Sequence, residues 1–163
     1  MNAPELIKPK TMNTIQAVNL ALDEAMGLDP NVILLGEDIA DGQEGGIVGV
    51  TKGLSTKYGN SRVRSTPISE QAIIGAAIGA AIVGMRPVAE VMLMNFTTVA
   101  MDMIVNHAAK LRFMSGGQTN VPLVIRTTTG VGVGCGQAVT FNVTLLFPFP
   151  GAPPFWSHAG QMT

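Results

Sequence analysis

The sequence predicts an α/β layer fold, a doubly wound parallel sheet with helices on both faces, from three observations. Short apolar runs alternate with helix-period segments, the connections between them are short, and no internal repeat breaks the alternation. The composition agrees with one folded unit. A chain of 163 residues that is 47% apolar and 13% charged can build a core burying roughly 70% of its unfolded surface. Ten Lys and Arg against 11 Asp and Glu leave no basic face for nucleic acid or for an anionic membrane surface. The single cysteine, Cys135, cannot close an internal disulfide, so a reducing cytoplasm is the expected compartment. Pro4 and Pro9 interrupt the first ten residues, which hold no apolar run and so do not read as a signal peptide. The longest apolar stretch, 72–85, contains Gly75, Gly79 and Gly84 and falls short of the ~20 residues of a bilayer span.

Residues 14–26 place Ile15, Val18, Leu22 and Met26 at helical spacing, with Asn13 or Thr14 as the cap and Gly27 and Pro30 as the stop. Residues 32–36 are a continuous apolar run, the mark of a strand covered on both faces. The acidic, glycine-rich stretch 37–49 reads as a loop and 51–58 as a short helix ended by Gly59. Residues 62–65 form a second strand, which Thr66-Pro67 turns out of. Ser69 begins a helix over 70–83, where Gly75 and Gly79 would let another backbone come close. A strand over 86–93, a long helix over 97–114 ending at Gly116-Gly117, and a strand over 121–126 complete the pattern.

Several constellations fail as sites. The run from Gly130 to Gly136 misses the G-x-G-x-x-G register from either start, and no Lys-Ser/Thr follows it, so it is not a nucleotide cradle. His107 and His158 lack partners at metal-ligand spacing, and His107 is expected to sit solvated on its helix. Cys135 has no nearby base and reads as a small buried residue. Glu70 reads two ways. It is either a carboxylate favoured at a helix start by the dipole or one aimed from a buried helix start into a cleft, able to bond a ligand nitrogen.

Seven motifs then occur in one order. They are Leu34-Leu35-Gly36-Glu37-Asp38, Thr66-Pro67-Ile68-Ser69-Glu70, Arg86-Pro87-Val88-Ala89-Glu90, Asn95-Phe96, Asn106-His107-Ala108-Ala109-Lys110, Met114-Ser115-Gly116-Gly117 and Val121-Pro122-Leu123-Val124-Ile125-Arg126. Together they resemble the beta subunit of the thiamine-diphosphate-dependent first component of 2-oxo-acid dehydrogenase complexes. Pyruvate, branched-chain and acetoin dehydrogenases share that subunit, which is related to transketolase. The likeness runs from about Thr11 to Gly136 and implies the thiamine-diphosphate-binding fold, here its pyrimidine domain. It implies that Glu70 bonds the pyrimidine ring nitrogen and activates the cofactor, and that Phe96 packs on the pyrimidine face. It further implies that Glu37 and Asp102 belong to a proton path between paired sites, and that the Leu123 carbonyl faces a structural potassium ion. The diphosphate and its Mg²⁺ fall to an alpha subunit in an α2β2 assembly, with a lipoyl acyltransferase as acceptor. The closest string here to the metal-binding G-D-G is Ala40-Asp41-Gly42, without its first glycine.

The resemblance ends near Gln137. The family continues to a Gln-His-Ser segment, whereas this chain reads Ala138-Val139-Thr140. No charged residue follows Arg126, and four of the six phenylalanines and four of the ten prolines lie beyond residue 140. We therefore expect an amino-terminal extension over 1–12, a partial pyrimidine domain over 13–137 that is incomplete at its carboxy terminus, and an atypical tail over 138–163. A changed reading frame accounts for both the lost motif and the lost charge; a divergent tail packed on a partner is the alternative. Two functional expectations follow. The chain is the beta subunit of a pyruvate-like 2-oxo-acid or acetoin dehydrogenase, or it is an inactive remnant that at most binds an alpha subunit.

Overall fold

The computed structural model describes residues 11–129. Four parallel strands, β1 (Val32–Glu37), β2 (Val63–Thr66), β3 (Arg86–Leu93) and β4 (Val124–Thr128), form one sheet in the order β2-β1-β3-β4. Parallel neighbours need crossover connections, and helices supply two of them: α2 (Leu54–Tyr58) between β1 and β2, and α3 (Glu70–Ile82) between β2 and β3. The helix α1 (Thr14–Leu28) precedes the sheet.

Two apolar cores, one on each face, make the sheet doubly wound. Ile33, Leu35, Ala89 and Val91 pack with Ile73, Ile74, Ala77 and Ile78 of α3. Val32, Leu34, Val63 and Val88 pack with Leu22, Ala25 and Met26 of α1 and Leu54 of α2. Consecutive strand residues thus enter opposite cores, as a period of two requires. Every residue of β1 is buried, as the unbroken apolar run predicts.

Local chemistry explains the boundaries. Asn13 caps α1 with a full capping box: its side chain accepts from the Gln16 amide, and the Gln16 side chain accepts from the Asn13 amide. The helix runs through Gly27 to Leu28, two residues beyond the expected stop. The second helix begins only at Leu54, because Gly53 before it has a φ of 87°. The Arg62 side chain donates to the carbonyls of Met26, Asp29 and Val32, tying the start of β2 to the end of α1.

Three sequence expectations need correction. The expected helix over 97–114 is broken into a 3₁₀ turn (Met94–Thr98), a π-helical stretch (Met103–Ala108) and the short α4 (Leu111–Met114). The Thr97 and Thr98 hydroxyls bond back to the carbonyls of Met94 and Asn95, three residues earlier, and so favour the tighter turn. The Ala109 amide reaches Ile104, five residues back, which is the π spacing. The last strand starts at Val124 rather than Val121, as Pro122 lacks the ladder donor and restricts the residue before it. Gly75 abuts the side chain of Met103, with a Cβ placed there 3.5 Å from its Sδ, and Gly79 faces open space, so neither approaches another backbone.

Gly36 makes the closest approach in the sheet. A Cβ there would stand 2.8 Å from Cβ of Glu90 and 3.2 Å from the Glu90 carbonyl oxygen. Both neighbours belong to a buried strand that cannot retreat, so Gly36→Ala should cost about 1–3 kcal/mol in a urea unfolding experiment. A variant as stable as the parent would contradict this packing.

Candidate functional site

In an open parallel sheet, ligands bind beyond the carboxyl ends of the strands, where neighbouring connections leave in opposite directions. Here the chain leaves β1 towards β2 on one side and returns to β3 on the other, so that point lies between β1 and β3. The groups gathered at this edge are Glu37 at the end of β1, Thr66 at the end of β2, Glu70 at the start of α3, and Phe96 just after β3.

Glu37 and Glu70 are both buried, 5% and 7% exposed. Glu37 has the strand parity of Ile33 and Leu35 and therefore faces the α3 side, where Glu70 opens the helix. Burial, then the charge of Glu70, then that of Asp38 push the Glu37 carboxyl above its ordinary value. Its Oε1 is sealed from solvent and has no hydrogen-bond partner, as is true of the Thr66 and Thr127 hydroxyl oxygens. Phe96, half-buried, packs against the α3-side core. A shallow groove beside the start of α3 is lined by Ser69, Gln71, Ala72, Gly75 and Met103.

The remaining expected residues lie on the segments that follow β3. Asp102 is exposed on the helical stretch after β3, where its carboxylate accepts from Asn106 at 2.8 Å and lies 3.8 Å from His107. His107 is exposed, as the sequence predicts. Leu123 is buried in the α3-side core one residue before β4. Among the described residues there is no cluster of three or more His, Cys, Asp or Glu side chains able to hold a metal. Cys135, His158 and the glycine run from Gly130 lie outside the described residues, as does the expected tail.

Sequence reading missed two charged clusters. Glu90, buried, and Arg126, half-buried, are directly opposed in the β3–β4 register and form an ion pair on the α1-side face of the sheet. Burial pushes the Arg126 guanidinium down to about 10. The sequence shows one acid and one base inside two apolar runs, Glu90 and Arg126, and the strand register brings them together. Asp41, the second residue of Ala40-Asp41-Gly42, accepts from the Gly53 and Thr56 amides and the Ser55 and Thr56 hydroxyls. Both its oxygens are thus committed to clasping the loop after β1 onto α2.

Against known proteins, residues 10–138 match the transketolase pyrimidine-binding-domain family. The chain is 49% identical over 139 residues to the beta subunit of an acetoin:2,6-dichlorophenolindophenol oxidoreductase from Cupriavidus necator, covering 80% of this chain and 41% of that one. It is 47% identical over 127 residues to a mitochondrial pyruvate dehydrogenase E1 beta-1 subunit from Oryza sativa, covering 78% and 33%. The beta subunit of the acetoin oxidoreductase of Bacillus subtilis is 43% identical over 133 residues, covering 76% and 39%. The chain spans about two-fifths or less of these relatives' length. Among the described residues no helix is long and apolar enough to cross a membrane.

The Asp41 clasp has a pH signature. Its hydrogen bonds, that to the Thr56 hydroxyl foremost, hold the carboxyl well below its ordinary value of 3.8. A depressed carboxylate stabilises the fold above its unfolded pKa and loses that contribution as pH falls towards the folded one. Asp41→Asn should therefore cost about 1–2 kcal/mol at pH 6 in urea unfolding, with the gap to the parent narrowing below about pH 4. A gap independent of pH would reject the clasp. The match over residues 10–138, on a four-stranded parallel sheet with a core on each face, establishes that the chain belongs to the transketolase pyrimidine-binding-domain family.

Proposed function

We propose that this domain is the pyrimidine side of a thiamine-diphosphate site in a beta-type subunit of a 2-oxo-acid or acetoin dehydrogenase, working with an alpha-type partner. The observation that carries this reading is the buried Glu70 at the first residue of α3, set at the carboxyl edge of the sheet beside Glu37. An aminopyrimidine has flat apolar faces and nitrogens at its rim, so its pocket needs a buried carboxyl group and an apolar wall. Glu70 and the half-buried Phe96 meet that need, and the unpartnered Glu37 Oε1 marks unfilled polar capacity beside them.

Glu70 would hold the ring nitrogen through one hydrogen bond and keep or pass a proton at its carboxyl oxygen. Phe96 would pack against the ring face, and Glu37 would stand behind Glu70 as the next proton-holding group. When bound, thiamine diphosphate supplies the carbanion chemistry of decarboxylation and of acyl transfer to a lipoyl group. The Asp41 oxygens are already engaged, which supports leaving the diphosphate and Mg²⁺ to the partner. The exposed Val99, Met101 and Val105 on the segment after β3 support a covering subunit. In the same reading Leu123 offers its carbonyl to a potassium ion, Asp102 reaches a second site across an assembly, and the single cysteine suits the cytoplasm. A second reading, partner binding without turnover, is favoured by the departure from the Gln-His-Ser pattern after Gln137.

Mixing the chain with an acetoin or pyruvate dehydrogenase alpha subunit and a lipoyl acyltransferase tests both. Turnover that falls by about 10²–10⁴-fold in Glu70→Gln, with the fold intact by circular dichroism, supports the catalytic reading. Turnover unchanged in that variant rejects it, and a stable complex without turnover establishes the second.

A further inference from the structure

Among the described residues, three side-chain oxygens are sealed from solvent without a hydrogen-bond partner: Glu37 Oε1, Thr66 Oγ1 and Thr127 Oγ1. All three sit at the carboxyl edge of the sheet. Strand parity places them on one face, because Glu37 follows Leu35, Thr127 follows Ile125, and Thr66 is of opposite parity to Val63 of the other core. Glu37 and Thr66 are direct partners in the β1–β2 register. Adjacent strands stand about 4.8 Å apart, so a hydroxyl turned about its χ1, or one water, bridges two such side chains. Thr127 pairs with Val91, whose buried side chain separates it from Glu37.

We infer that Thr66 is a positioning residue for Glu37: its hydroxyl, directly or through one bound water, donates to the Glu37 carboxylate and holds it on the Glu70 side. A buried hydroxyl and a buried carboxyl oxygen side by side each cost free energy unless they are satisfied, and together they satisfy one another. The surroundings make Thr66 the fitting donor. Like charges face Glu37 from Glu70 on α3 and from Asp38 on its own loop. From β3 the facing residue is Val91, while Glu90 and Arg126 pair on the opposite side of the sheet. Arg64 of β2 shares the face but is exposed and donates to the Ser61 carbonyl. An ionised Glu37 therefore meets two repelling charges and one adjacent uncommitted donor.

This role rests on the Glu37–Glu70 pair being the working centre of the site, but its test uses neither cofactor nor partner. The full chain, labelled with carbon-13 at its glutamate carboxyls, is titrated by NMR, with Glu37 assigned through Glu37→Gln. A donor to the charged form lowers a carboxyl pKa, so Thr66→Val should raise that of Glu37 by about half to one unit, a three- to tenfold change in its ionisation constant. Thr66→Ser should restore the parent titration, and Thr66→Ala serves the same comparison should the valine variant fail to fold. A Glu37 titration unchanged or lowered by loss of the hydroxyl overturns the inference. That result would leave the Glu70→Gln outcome untouched, and the reverse also holds.

Discussion

Burial of β1 on both faces, combined with the strict alternation of its side chains, sets what can meet at the carboxyl edge of this sheet. Four apolar residues serve the two cores in turn, and the alternation then delivers Gly36 to the α1 side and Glu37 to the α3 side. Gly36 has no side chain because Glu90 of the neighbouring strand occupies that space. Glu37 cannot turn to solvent, because the strand carrying it is covered. A carboxylate in that position must be paired, hydrogen-bonded or protonated. Burial first, and then the charge of Glu70 where a cation would be needed, raise the pKa of Glu37.

The contrast with the other face is instructive. Glu90 is as buried as Glu37 but faces Arg126, so its charge is compensated within the sheet. Breaking such a pair leaves one uncompensated buried charge, which is why a pair of this kind belongs to the scaffold. Among the described residues, no ion pair compensates Glu37 or Glu70 on the other face. Uncompensated buried acids cost stability, and the places where folds tolerate that cost are where ligands bind and protons move. The loop between β1 and α2 closes over the paired side: Asp41 clasps the helix, and the buried Thr51 hydroxyl donates to the Ile39 carbonyl.

Much of this was legible in the sequence. Asn13 and Gln16 spell a capping box, the apolar run at 32–36 announces a doubly covered strand, and Thr66-Pro67 announces the turn that brings Glu70 to the edge. The burial of Glu70, which residue types alone left open, follows from that turn. The segment over 97–114 has neither proline nor glycine, so its sequence predicts one helix. Its irregularity comes from threonine hydroxyls competing for backbone carbonyls and from a five-residue hydrogen-bond step, neither of which leaves a periodicity signal. The pairing of Glu90 with Arg126 and of Thr66 with Glu37 is not legible in the motifs that contain them, because it depends on register between strands far apart in sequence.

The electrostatic coupling of Glu37 to Glu70 is the claim on which the functional reading stands, and it can be measured without substrate or partner. Titration of the Glu37 carboxyl should give a pKa above the ordinary 4.5 in the parent chain, and a lower one in Glu70→Gln, where the repelling charge is gone. An ordinary Glu37 pKa that does not respond to Glu70→Gln would mean that the two carboxyls do not share a buried site.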